Sequence, residues 1–146
     1  MPGNQRNSIF EYIADYSGFI IKLRSGHTTL LELSFIEKKC KLKENNKLMD
    51  PLKKALTFLD DYFRGVKSSI EIIFYTGLSR DKCPGDSRKL FLNMNGYTEK
   101  EISVYKELMK VEPGRTVSYS EIASRSGIHR GARFAGHCMA ANRFPV

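Results

Sequence analysis

The chain has 146 residues, of which 41% are hydrophobic and 27% charged. That suffices for one ordinary domain or two small ones and is too apolar for a disordered chain. No stretch approaches the roughly 18 consecutive apolar residues of a membrane-spanning helix, so such a helix is excluded. Lys and Arg outnumber Asp and Glu 24 to 16, giving a net charge of +8 and a sequence pI near 9.5. A balance this basic points first to a polyanionic partner. The polar start from Met1 to Arg6 has no apolar run behind it, so a secretory leader is not expected. The cysteines Cys40, Cys83 and Cys138 are widely spaced and form no C-x-x-C pair. Neither a disulfide framework nor a metal site is expected from them, although a Cys40–Cys83 pair stays open.

The first third reads as strands. Phe10, Tyr12 and Ala14 share one face of a run from Ser8 to Tyr16, and Gly18 breaks it. Phe19 to Leu23 resumes the pattern, Ser25-Gly26 marks a turn, and Thr28 to Phe35 is rich in β-branched residues and Leu. Consecutive hairpin strands of an antiparallel sheet are expected. A Lys-rich loop from Glu37 to Lys47 follows, then a helix with Asp50 as N-cap and Pro51 in its first turn. Its apolar stripe is Leu52, Ala55, Leu56, Leu59, Tyr62 and Phe63, and Gly65 ends it. Ile70 to Tyr75 is one more strand. Residues 76–96 read as a linker holding one short strand at Lys89 to Leu92. The expected division is an α/β domain with its linker over 1–93 and a helical domain over 94–146.

Thr98 and Glu101 have capping-box spacing ahead of a helix with the stripe Ile102, Tyr105, Leu108 and Met109. Pro113-Gly114 stops it. Ser118 and Glu121 repeat the spacing before a short helix from Tyr119 to about Ser126, and a last helix spans about His129 to Ala141. Two short helices joined through Ser126-Gly127-Ile128 predict a helix-turn-helix. From Arg115 onward there are five arginines (Arg115, Arg125, Arg130, Arg133, Arg143), no lysine and a single acid, Glu121. Arginine suits phosphate and base-edge contacts better than lysine does. Gly131, Ala132, Ala135 and Gly136 surround Arg133. Small residues there suit either close helix packing or close approach to a nucleic-acid backbone, with Arg133 as the long side chain able to enter a base stack.

The segments Gly114-Arg-Thr-Val-Ser-Tyr-Ser-Glu-Ile-Ala123, Arg130-Gly-Ala-Arg-Phe-Ala-Gly136 and Asn142-Arg-Phe-Pro-Val146 resemble the O6-alkylguanine-DNA alkyltransferases. The resemblance is strong over residues 98–146 and rests on layout alone before them. It implies an α+β protein: a ribonuclease-H-like sheet with a helix, then a winged helix-turn-helix. It implies double-stranded DNA carrying O6-alkylguanine as partner, a monomer acting without cofactor, and a cytoplasmic, nucleoid-associated or nuclear location. Such proteins flip the damaged guanine out of the duplex and move its alkyl group to a cysteine of their own. By position, Tyr119 crowds the target phosphate and Arg133 fills the vacated stack. Gly131, Ala132 and Gly136, with Arg130 beside them, let the last helix sit close in the minor groove. Asn142 organises the turn into the active-site loop, and Pro145 helps wall the alkyl pocket. The family's acceptor stands in a Pro-Cys-His-Arg motif, expected just beyond Val146, so no catalytic residue is expected among these residues. Arg143 stands where the family often has Pro. Two other readings are open: a non-catalytic alkyltransferase-like lesion binder, and a helix-turn-helix transcriptional regulator.

Overall fold

A computed structural model describes residues 8–16, 18–37, 48–77 and 86–145, which fall into two compact units divided between Asn95 and Gly96. Cys40, Cys83 and most of the Lys-rich stretch lie outside the described residues.

The first unit opens with a meander of β1 (Phe10–Tyr16), β2 (Phe19–Ser25) and β3 (Leu30–Ile36), antiparallel throughout, with Tyr12 opposite Leu23 and Leu23 opposite Leu33. Alternation along β2 sorts its side chains by face. Ile21, Leu23 and Ser25 are buried, while Lys22 and Arg24 meet the carboxylates of Glu11 and Glu32 at 2.8–3.2 Å. After α1 (Asp50–Phe63) come β4 (Glu71–Tyr75) and β5 (Lys89–Asn93). The sheet order is β1-β2-β3-β5-β4, with β5 parallel to both of its neighbours. The sheet is therefore mixed, not antiparallel as expected. The α1 crossover returns the chain in the same direction, which a hairpin turn cannot do.

Two further expectations change here. The short strand in the supposed linker is β5, an interior strand with Leu90, Phe91 and Leu92 all buried. A strand covered on both faces loses the alternation that marks half-buried strands. On α1 the cap is Met49, and Asp50 is the first helical residue, its carboxylate 2.7 Å from Lys54 Nζ one turn on. Lys54 also donates to the Asp86 carbonyl at 2.8 Å, which explains how a lysine lies buried on this face. Leu52, Ala55 and Leu59 fill the core as the stripe predicts, but Tyr62 and Phe63 at its end are exposed, with Phe63 stacked on Tyr16 at 4.7 Å.

The second unit holds α2 (Glu99–Leu108), α3 (Tyr119–Arg125) and α4 (Ala132–Ala140). Thr98 and Glu101 form the full reciprocal capping box: Thr98 Oγ1 accepts from the Glu101 N–H, and the Thr98 N–H donates to the Glu101 carboxylate at 2.7 Å. Val104 and Tyr105 are the buried residues of α2. Met109, expected on the stripe, is exposed beyond the end of the helix. Val104, Tyr105, Ile122, Ala123, Ala135, Cys138 and Phe144 form the small core, and the Tyr105 hydroxyl donates to the Cys138 carbonyl at 2.7 Å, tying α2 to α4. Among the described residues no helix is long and apolar enough to cross a membrane.

Candidate nucleic-acid interface

The helix-turn-helix is built from α3 and α4. Ser118 caps α3 by accepting from the Glu121 N–H at 3.1 Å. This is half of the expected box, because the Glu121 carboxylate goes to Arg125 one turn on. The helix closes in a Schellman arrangement. The Ile128 N–H donates to the Ala123 carbonyl at 2.8 Å and the Gly127 N–H to the Ser124 carbonyl at 3.0 Å, with Gly127 at φ +74°. A left-handed residue is required there, and glycine adopts it without strain. The turn then runs on to Gly131, so α4 starts at Ala132 and not at His129 as expected. His129 and Arg130 belong to the turn.

Gly131 is the N-cap of α4 and is buried. A Cβ there would lie 2.5 Å from Ile128 Cγ2 and 3.1 Å from Ala123 Cβ, so the closure of α3 on α4 itself demands glycine. Gly136 lies inside α4, where a Cβ would meet Cδ2 and Cε2 of Tyr119 at 3.3 Å. Tyr119 is the first residue of α3 and is 54% exposed. Ala132 is half-buried at the start of α4.

The arginines separate into two groups. Arg115 stands 3.8 Å from Glu112, Arg125 is held by Glu121, and Arg143 is engaged by Tyr97. Arg130 and Arg133 are exposed and, among the described residues, have neither an acidic partner nor a hydrogen bond. Both sit at the N-terminal end of α4, which has no side-chain cap and no acid in its first turn. Free N–H groups at a helix start attract anions, and the helix dipole disfavours cations there. Arg130 is also the one non-glycine residue with positive φ, +54°, among the described residues. That backbone costs on the order of 1 kcal/mol. Two unneutralised guanidinium groups are thus held at a place unfavourable for them unless an anion joins them. A phosphate backbone is such an anion.

Beyond α4, Asn142 Oδ1 accepts from the Phe144 N–H at 2.9 Å, which makes the turn out of the helix. Phe144 is buried and Pro145 exposed. Sequence reasoning missed Tyr97 here. Its hydroxyl donates to the Ala141 carbonyl at 2.9 Å and accepts from the Arg143 N–H and Nε at 3.1 Å, while the guanidinium lies 4.5 Å from its ring centroid. A proline at position 143 would have no N–H for this bond. The pairing spans 46 residues and leaves no local pattern.

Cys138 is fully buried, and burial, with the Glu101 carboxylate, pushes its thiol up from the ordinary value. A reactive thiolate needs the opposite environment, so Cys138 is a packing residue. His129 and His137 are exposed.

Residues 99–146 match the model of the 6-O-methylguanine DNA methyltransferase DNA-binding domain. The fold resembles that of the Mycobacterium tuberculosis O6-methylguanine methyltransferase at a TM-score of 0.63 and 22% identity, covering 94% of this chain and 73% of that one. A structure of the M. tuberculosis protein in complex with DNA matches at a TM-score of 0.59 and 22% identity, covering 92% and 71%. A comparison with curated proteins found no match. Residues 99–146 are thus similar to the 6-O-methylguanine DNA methyltransferase DNA-binding domain, and the chain as a whole shares the fold of the M. tuberculosis protein.

Proposed function

We propose that this chain is a DNA-repair protein of the O6-alkylguanine-DNA alkyltransferase type, which binds duplex DNA in the minor groove and turns an alkylated guanine out of the stack. The single observation that carries the reading is the pair Arg130 and Arg133 at the uncapped start of α4, without acidic partners among the described residues. Arg133, in the first turn of α4, fills the space the base leaves. Tyr119, exposed at the start of α3, crowds the target phosphate. Asn142 and Pro145 shape the exit from α4 toward the alkyl pocket. The M. tuberculosis relative has been solved with DNA, which supports DNA as the partner. The binding unit works as a monomer without cofactor, in the cytoplasm at the nucleoid or in a nucleus. In the complete family pattern, transfer to the cysteine of the Pro-Cys-His-Arg motif follows capture.

Two measurements test this. Fluorescence anisotropy should show tighter binding to a duplex with one O6-methylguanine than to the unmodified duplex, and binding should weaken steeply with salt. Equal affinity for the two would contradict lesion capture. Intact mass before and after incubation separates the two family readings. A gain of one methyl group means transfer, and capture without gain means a lesion binder. Sequence-selective binding to undamaged DNA would instead favour a regulator.

A further inference from the structure

The two glycines of the helix-turn-helix are not equivalent. Gly131 is closed in by Ile128 and Ala123, so its lack of a side chain serves packing. Gly136 is inside a helix, where glycine weakens the backbone. Its position has a single close neighbour: a Cβ there would meet only Tyr119, at 3.3 Å from both Cδ2 and Cε2. Ordinary contacts of this kind lie at 3.4–4 Å. The ring thus rests with one edge on the bare backbone of α4 while more than half of the side chain is exposed. The neighbouring Ser118 cap accepts from the Glu121 N–H, so it fixes the start of α3, and the ring itself meets α4 at Gly136. A methyl group at position 136 would push the ring aside by a few tenths of an ångström and meet no other side chain of α3.

We propose that Gly136 is a positioning residue for Tyr119, setting where the ring stands before DNA arrives, so that it acts on base flipping through Tyr119 and not through direct approach to the duplex. This rests on the role given to Tyr119 above. The alternative, that the helix needs glycine because a DNA backbone comes close, makes a different prediction. A methyl group would then weaken DNA binding whether or not the tyrosine is present.

The test is a double-mutant cycle in the full chain: Gly136→Ala, Tyr119→Ala and both together. The probe is a duplex with 2-aminopurine at the target position, whose fluorescence rises when the base leaves the stack; anisotropy reports binding to the same duplex. Gly136→Ala should lower flipping about threefold, because the ring gives by a few tenths of an ångström and misplacing a positioned group by about 1 Å can cost about 10²-fold in rate. Its Kd should change by less than about twofold, and it should add nothing in the Tyr119→Ala background. Tyr119→Phe keeps the ring without the hydroxyl, so the Gly136→Ala effect should persist there. Alanine is the better helix former, so thermal unfolding should show the variant folded. An equal loss of binding in both backgrounds, or a flipping loss that persists without the ring, overturns the proposal while leaving the DNA reading intact. No fluorescence rise with the parent chain overturns both.

Discussion

The sheet unit and the helical unit both carry arginine at the surface, but they handle the charge in opposite ways. On the sheet, Lys22 and Arg24 lie between Glu11 and Glu32, all within 3.2 Å and all partly exposed. Such pairs contribute little stability, but they leave little field for an outside anion. At the start of α4, Arg130 and Arg133 have no such acids among the described residues, and the helix start adds its own positive end. Net charge alone therefore says little about where a polyanion binds. The place to look is where cations are held without neutralisation.

Several substitutions would break or sharpen that contrast. The largest effect belongs to Arg133→Ala, which should reduce flipping of a 2-aminopurine target by about 10²-fold while binding falls far less. Equal losses in both readouts would remove its assignment to the vacated stack. Tyr119→Ala should lower retention of an O6-methylguanine duplex about tenfold in competition assays, and unchanged retention would rule out its role. Gly131→Ala should cost about 1–3 kcal/mol in denaturant unfolding, because the new methyl overlaps Ile128. The same change at Gly136 should not destabilise, which separates packing from positioning. Thr98→Ala should cost about 1 kcal/mol through the lost cap of α2, with Thr98→Ser retaining most of it.

The smallest effect is on pH. The Thr98 backbone N–H and hydroxyl hold the Glu101 carboxyl below its ordinary 4.5. A carboxyl lowered in the folded chain contributes stability that is complete above the unfolded value and lost as pH falls through the folded one. Unfolding of the parent chain should therefore become easier below about pH 4.5, and Glu101→Gln should flatten that part of the curve. A curve unchanged by the substitution would contradict it.

Local signals made much of this structure legible. The capping box at Thr98, the strands before Gly26 and the stripe Leu52, Ala55, Leu59 each depend on neighbours in the chain. Residues whose reasons are non-local were not legible. β5 was legible as a short strand at Lys89 to Leu92, but its interior place in the sheet was not, because a strand covered on both faces loses alternation and this run stands among turn residues. Asp50 has the residue type of a cap, but the cap is Met49, and the Asp50 carboxylate pairs with Lys54 one turn on. The role of Tyr97 depends on Arg143, and that of Gly136 on Tyr119, both met only after folding. Arg130 and Arg133 stood out in the arginine-rich, acid-poor end of the chain, and Tyr119 through the motif resemblance. The structure adds their exposure, the strained turn at Arg130 and the uncapped helix start.

The most direct test of the central claim is the salt dependence of duplex binding for three chains: the parent, Arg130→Ala with Arg133→Ala, and Lys22→Ala with Arg24→Ala. Each neutralised phosphate contributes about 0.9 to the slope of log Kobs against log salt. The account predicts a slope smaller by about 1 to 2 for the α4 pair and no change for the sheet pair. The reverse pattern, or no change for either, would place the DNA-binding surface elsewhere on the chain.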